Sequence, residues 1–134
     1  MPGGKSYVAE AFRDAGAQYL WEDDGSTGSM PLHIEAVLER AGDADIWIDP
    51  TNVASMEELA AEDERYTIFR AFRSGRVFKN DARIGPGGGN DIWEGGVAYP
   101  ERVLADLISI IHPDLLPDHR RIWYRQLPEK VKRP

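Results

Sequence analysis

The sequence predicts an α/β fold, a single three-layer Rossmann-like lobe with a mostly parallel sheet flanked by helices. Three observations carry this expectation. Segments whose apolar residues recur at helical spacing alternate with short apolar runs of strand length. Glycine or proline stands at most of the joints. The length, 134 residues, suits one domain spanning 1–134 around one packed core. Alternation of this kind implies parallel strands joined by right-handed crossovers, with helices on both faces.

Tyr7 to Ala15 reads as the first helix, because Val8, Phe12 and Ala15 fall on one face, Ser6 can cap its start and Gly16 can end it. Gln18 to Trp21 is a short apolar run suited to a buried strand. Glu22 to Ser29 is turn chemistry. Pro31 opens a second helix with Ile34, Val37, Leu38 and Ala41 on one face and Gly42 at its end. Asp45 to Asp49 follows as a strand, and Pro50 to Ser55 as a loop. Ser55 with Glu58 three residues later resembles a capping box at a helix start. Ile68, Phe69 and Phe72 give another helical face, closed by Gly75, and Arg76 to Asn80 a third strand. Asp81 to Gly96 holds six glycines and a proline, which reads as a long loop. Pro100 starts the last long helix, with Val103, Leu104, Leu107, Ile108 and Ile111 as its apolar stripe and Pro113 as its stop. Ile122, Trp123 and Tyr124 form an aromatic patch in the tail.

Composition removes several functions. With 23 acidic against 16 basic side chains, the net charge of -7 argues against a nucleic-acid partner, which needs clustered cations. The basic run from Arg120 to Arg133 reads as a solvated helix end and tail. No cysteine is present, so disulfides, thiolate metal sites and cysteine nucleophiles are excluded. No apolar run reaches the roughly 18 residues of a membrane span. The start, MPGGKSYVAEAF, lacks the basic and apolar regions of a signal peptide, so no export signal is expected within this chain.

Ligands of parallel sheets collect at the carboxyl ends of strands, where this order places the loops 22–29, 50–55 and 81–96. The most unusual is IGPGGGNDIWEGG, Ile84 to Gly96. It has no Gly-Lys-Ser/Thr as in a phosphate loop, and Asn90 stands where a dinucleotide fingerprint needs its third glycine. The glycines still permit close backbone approach to a ligand or a neighbouring domain. A surface connection is the plainer reading. Another is a small stand-alone α/β domain, an enzyme among the options, that binds a phosphate-containing ligand through this loop. Trp93 is read either as a stacking wall for a planar ligand or as a plug over the sheet end. His112 and His119, with Asp114 and Asp118, match no metal-ligand spacing, and turn formation accounts for them. No nucleophile and base pair is apparent, so a non-enzyme without catalytic residues, metal ligands or cofactor is expected.

Several segments together resemble one family. They are PGGKSY at Pro2 to Tyr7, DAGA at Asp14 to Ala17, EAVL followed by DADIWI, FRSGRVF with Asn80, GGNDIWEGGV, and YPERVLADLISIIHPDLLPDH. In order and spacing these are similar to the C-terminal lobe of the class III periplasmic substrate-binding proteins, which serve ABC importers of iron-siderophore, haem and cobalamin type. The resemblance covers almost the whole chain. It implies two α/β lobes joined by a long helix, with the ligand in the cleft between them. An N-terminal lobe and the connecting helix are then absent from residues 1–134, and only the full two-lobed protein binds the iron chelate or corrinoid.

The resemblance also implies ABC permease subunits as partners and a periplasmic or lipid-anchored outer-surface location for the full-length protein. Glu35, in LHIEAVL before DADIWI, matches the family's docking glutamate that pairs with permease arginines; His33 stands where relatives often carry serine. By position, the ligand side is Lys5, Ser6 and Tyr7 at the first helix, Ser26 and Thr27 in the first loop, and Asn80, Arg83, Asn90, Asp91 and Trp93 around the third strand end. Lys5 and Arg83 are expected to hold an anionic chelate, and Trp93 to stack on a planar ligand edge. An isolated lobe is also expected to expose apolar surface around Trp93 and Trp123 and to form a homodimer there.

Overall fold

The computed structural model describes residues 4, 7–21, 25, 32–50, 53–84, 87–93 and 95–130. They form an α/β arrangement of helices and a small mixed sheet. The chain divides into two compact units, each built from two stretches of sequence: Met1–Leu32 with Asp81–Tyr124, and His33–Asn80 with Arg125–Pro134.

The second of these units holds the sheet. Its elements are α2 (Ile34–Ala41), β1 (Trp47–Ile48), α3 (Met56–Glu62), a 3-10 turn (Glu64–Ile68), α4 (Arg70–Arg73), β2 (Val77–Lys79) and β3 (Arg125–Gln126). The strand order is β1-β2-β3. β1 runs parallel to β2, with Trp47 opposite Val77 and Ile48 opposite Phe78. β3 runs antiparallel to β2, with Phe78 opposite Gln126 and Lys79 opposite Arg125. The parallel pair is the one expected from the helix-strand alternation. β3 was not foreseen, because two polar residues after an aromatic pair carry no strand pattern.

Hydrophobic burial organises this unit around Val53, Met56, Leu59, Val77 and Leu127, with Trp47, Tyr66 and Phe72 packed against them. Trp47 meets Tyr66 edge-on at 5.4 Å and Phe69 at 4.9 Å between ring centroids. The start of α3 is fixed twice. Ser55 is extended, and its Oγ accepts the Glu58 N–H at 3.2 Å while donating to the Glu58 carboxylate, as the capping pattern predicts. The next orphan helix donors are met by the chain beyond β3: Met56 N–H donates to Pro128 O at 2.8 Å and Glu57 N–H to Glu129 O at 3.0 Å.

The first unit is helical among its described residues: α1 (Tyr7–Asp14), a 3-10 turn (Asp91–Trp93), α5 (Gly95–Ala98), α6 (Pro100–Ile111) and a 3-10 turn (Pro113–Leu115). α6 buries Val103, Leu107 and Ile110, and with them the polar Asp106 and Ser109. Leu104 and Ile108, from the expected stripe, are half-buried. The strand expected at Gln18 to Trp21 is not formed. Its aromatic rings pack instead, with Tyr19 5.7 Å from Phe12 and 6.1 Å from Trp21. Such packing buries an apolar run without a ladder, which periodicity alone does not distinguish from a strand. Among the described residues no helix is long and apolar enough to cross a membrane.

Candidate functional site

The glycine-rich segment after β2 is structured. Ile84 and Asn90 form an antiparallel bridge, and Asp91 N–H donates to Arg83 O at 3.0 Å. Asn90 Oδ1 then accepts the Ile92 N–H at 3.2 Å, an Asx-type turn that starts the Asp91–Trp93 3-10 turn. Ile92 is buried, and Trp93, its neighbour, is 64% exposed. The two glycines that follow are packing residues. A Cβ on Gly95 would run into the Asp91 carboxylate, and one on Gly96 would lie 3.0 Å from Ile92 Cγ1 and 3.2 Å from Val103 Cγ2. Residues 90–93 therefore form a compact turn that leaves the large aromatic side chain of Trp93 in solvent.

Asp91 anchors that turn. Its carboxylate accepts the Trp123 indole N–H at 3.0 Å and pairs with Arg83 at 3.3 Å, and its side chain is only 15% exposed. Arg83 keeps most of its guanidinium in solvent. The structure thus brings Arg83, Asn90, Asp91 and Trp93 together, with Arg83 and Trp93 facing outward and Asp91 committed to protein partners. Tyr99 is exposed nearby in sequence, with the Arg102 guanidinium 4.5 Å above its ring.

Trp123, expected to share an exposed apolar surface with Trp93, is 2% exposed. Its indole N–H is satisfied by Asp91 and its backbone N–H by Asp106, so it contributes no docking surface. Sequence reasoning missed the reason. Asp106 has no exposed surface, sits mid-helix on α6, and its carboxylate accepts three consecutive backbone N–H groups: Ile122 at 3.0 Å, Trp123 at 2.8 Å and Tyr124 at 3.1 Å. His119 Nε2 lies 2.7 Å from the other oxygen. Arg121 donates to the Ser109 hydroxyl at 2.9 Å and to Ser109 O at 3.2 Å, beside this cluster. The available signal was an aspartate inside the apolar stripe of the last helix. His112 is separate, with Nε2 3.2 Å from Gly16 O. Both histidines therefore have protein partners, and among the described residues no group of three or more His, Asp or Glu is placed to hold a metal ion.

Asn80 belongs to the other unit, one residue beyond β2. Its N–H donates to Asp49 Oδ1 at 2.9 Å, while Asp49 N–H donates to Phe78 O at 2.8 Å. Asp49 has φ 55°, a left-handed conformation in which aspartate is enriched. This pair joins the carboxyl ends of the two parallel strands. Asp49 was not singled out from sequence, although an aspartate before Pro50 at a strand end is a turn signal. Lys5, Ser6, Ser26 and Thr27 lie outside the described residues, and Tyr7 is the first residue of α1.

Glu35 occupies the first turn of α2, where the helix dipole favours a carboxylate. His33 precedes it without a side-chain cap. The Glu35 side chain is 71% exposed and pairs with Arg65. Arg65 is in turn clamped by Asp63, its Nη2 2.8 Å from Asp63 Oδ2 and its Nε 3.1 Å from Asp63 Oδ1. Hydrogen bonds from the Arg65 side chain and backbone hold the Asp63 carboxyl below its ordinary range, and Asp63 raises the Arg65 guanidinium correspondingly. Tyr66, beside this clamp, is raised mainly by burial.

A groove of about 230 Å³ runs between α1 and α6, floored by Ala11, Val103 and Leu104 and edged by Glu10, Asp14 and Glu101. The three carboxylates that line it repel an anionic ligand.

No family model matches the chain, and no solved structure matches it. Over 115 residues, 85% of the chain, it is 32% identical to an uncharacterized lipoprotein of Methanocaldococcus jannaschii, and the matched part is 26% of that protein. The chain thus spans about a quarter of the length of the relative it matches.

Proposed function

We propose that this chain is a C-terminal, three-layer Rossmann-like lobe of a substrate-binding protein of an ABC importer, one that takes up an iron chelate or corrinoid. In this reading it closes one side of the ligand cleft and docks to the permease. The observation that carries the proposal is the turn Asp91–Trp93, which Asn90 starts by a hydrogen bond and which leaves Trp93 in solvent, while Asp91 of the same turn pairs with the exposed Arg83. A planar or aromatic chelate would stack on Trp93, and Arg83 would pair with its anionic groups. The action is binding alone; no residue of the chain need touch the metal.

The relative's being a lipoprotein supports a lipid-anchored, surface location for the protein to which this lobe belongs. Its greater length supports further chain around the lobe, as a two-lobed protein requires. Glu35 suits the docking role by exposure: it is held at a helix start by Arg65, a contact that a permease arginine would replace. The phosphate-ligand reading draws less support, since the glycine run leads into a 3-10 turn and the four-residue α5 and not into a long helix whose dipole would face an anion.

The test is chelate uptake by cells carrying the intact protein. Glu35→Lys is expected to abolish uptake with chelate affinity unchanged, through like-charge repulsion at the permease. Undiminished uptake by that variant excludes the docking role.

A further inference from the structure

The geometry points to Asp106 as the positioning residue for Trp93, acting through Trp123 and Asp91. The relay is a series of hydrogen bonds from Asp106 to Asp91 within one unit of the chain, carried on to Trp93 by the backbone of the Asp91–Trp93 turn. The Asp106 carboxylate fixes the backbone from Ile122 to Tyr124 by three N–H bonds, and His119 occupies its remaining side. Fixing that backbone aims the Trp123 side chain, whose indole N–H reaches Asp91 Oδ2 at 3.0 Å. Asp91 is the first residue of the 3-10 turn that ends at Trp93, and it also holds Arg83. Both outward-facing groups of the candidate site are therefore oriented from a single buried carboxylate on α6.

Two features make this a positioning device and not only core packing. Three backbone N–H groups that would otherwise be buried without a partner converge on one carboxylate, which specifies one backbone path. The indole donor ends on the residue whose neighbours bear the exposed groups, and Gly95 leaves room for that carboxylate alone. The use of Trp93 by a ligand rests on the function proposed above, whereas the relay is read from the apo chain and stands or falls without it.

The experiment is fluorine NMR of the chain labelled with 5-fluorotryptophan, together with amide hydrogen exchange of residues 84–93, on Asp106→Asn, Trp123→Phe and Asp91→Asn; a folded Asp106→Asn chain with an unmoved Trp93 resonance overturns the role of Asp106. Phenylalanine keeps most of the buried ring and removes only the indole donor; asparagine keeps the shape of Asp91 and removes its charge. The Trp93 resonance, assigned with Trp93→Phe, is expected to move or broaden in all three variants. Amides of 84–93 should exchange about tenfold faster, as loss of a bond to a charged acceptor implies. The Trp47 resonance, from the other unit, should stay in place and reports the fold. Asp91→Asn gives the answer even where Trp123→Phe disturbs packing. An unmoved Trp93 resonance with unchanged exchange in Asp91→Asn overturns the relay, as does the same result in Trp123→Phe. A chain that shows the relay but binds no chelate refutes the proposed function alone.

Discussion

Replacing Asp106 by asparagine is the most informative single perturbation of this fold. The wild-type carboxylate accepts from Trp123, Tyr124 and Ile122 at one oxygen, and from Ile122 and His119 at the other. An amide of the same shape retains one acceptor and turns its NH₂ towards donors on the other side. The three backbone N–H bonds then end on a neutral oxygen in place of a charged one, and His119 keeps its contact only in the tautomer whose Nε2 accepts from the amide. Hydrogen bonds to a charged group contribute about 1.5–3 kcal/mol each, and a buried donor left unmade costs about 1–3 kcal/mol. The losses share one site and do not add in full, so about 3–5 kcal/mol is expected for the several weakened bonds together. Against a total stability of about 5–15 kcal/mol this is large. It corresponds to a fall of roughly 10–20 °C in Tm for a chain of this size. Thermal denaturation followed by circular dichroism measures it, with Asp106→Ala as the more severe variant. An Asp106→Asn protein within about 1 kcal/mol of wild type would falsify the claim that this carboxylate organises the segment after α6.

Other expectations follow from the same contacts. Gly16 has φ +89°, and a Cβ there would lie 2.8 Å from His112 Nε2, so Gly16→Ala should cost about 1–3 kcal/mol by urea denaturation. Ser55→Ala removes the α3 cap and should cost about 1 kcal/mol, whereas Ser55→Thr, which keeps the hydroxyl that accepts from the Glu58 N–H and donates to its carboxylate, should recover most of it. Asp63 is held below its ordinary value of 3.8, so its contribution is fully present above that value and is lost as the pH falls through the folded-state pKa. The stability gap between wild type and Asp63→Asn should accordingly close on acidification below about pH 4 and stay constant from there to neutrality. A gap that grows on acidification contradicts the Arg65 clamp.

The sequence announced most of the elements because their signals are local. Proline and serine at helix starts, and apolar spacing within them, placed α2, α3 and α6 within a few residues. β1 and β2 were visible as apolar runs between turn residues. What stayed hidden was long-range. β3 exists only because Phe78 and Lys79 offer it a ladder, and Asp106 is legible only once Ile122 to Tyr124 are known to return to α6. Tyr19 and Trp21 carry the same apolar signal whether they pair as a strand or stack as rings. In the site, NDIWEGG was recognisable as unusual, and Trp93 and Arg83 could be named. That Asp91 faces inward to Trp123 depends on a contact 32 residues apart, which no spacing rule encodes.

The central claim is that this lobe presents Trp93 to a planar, anionic ligand shared with a second lobe. Isothermal titration calorimetry of the intact protein with haemin, cyanocobalamin and a ferric catecholate tests it most directly, run beside Trp93→Ala. The account predicts saturable binding of one of the three, weakened about two- to tenfold by Trp93→Ala, since lost aromatic stacking costs about 0.5–1.5 kcal/mol. Binding that is unaffected by Trp93→Ala, or no saturable binding of any of the three, contradicts it.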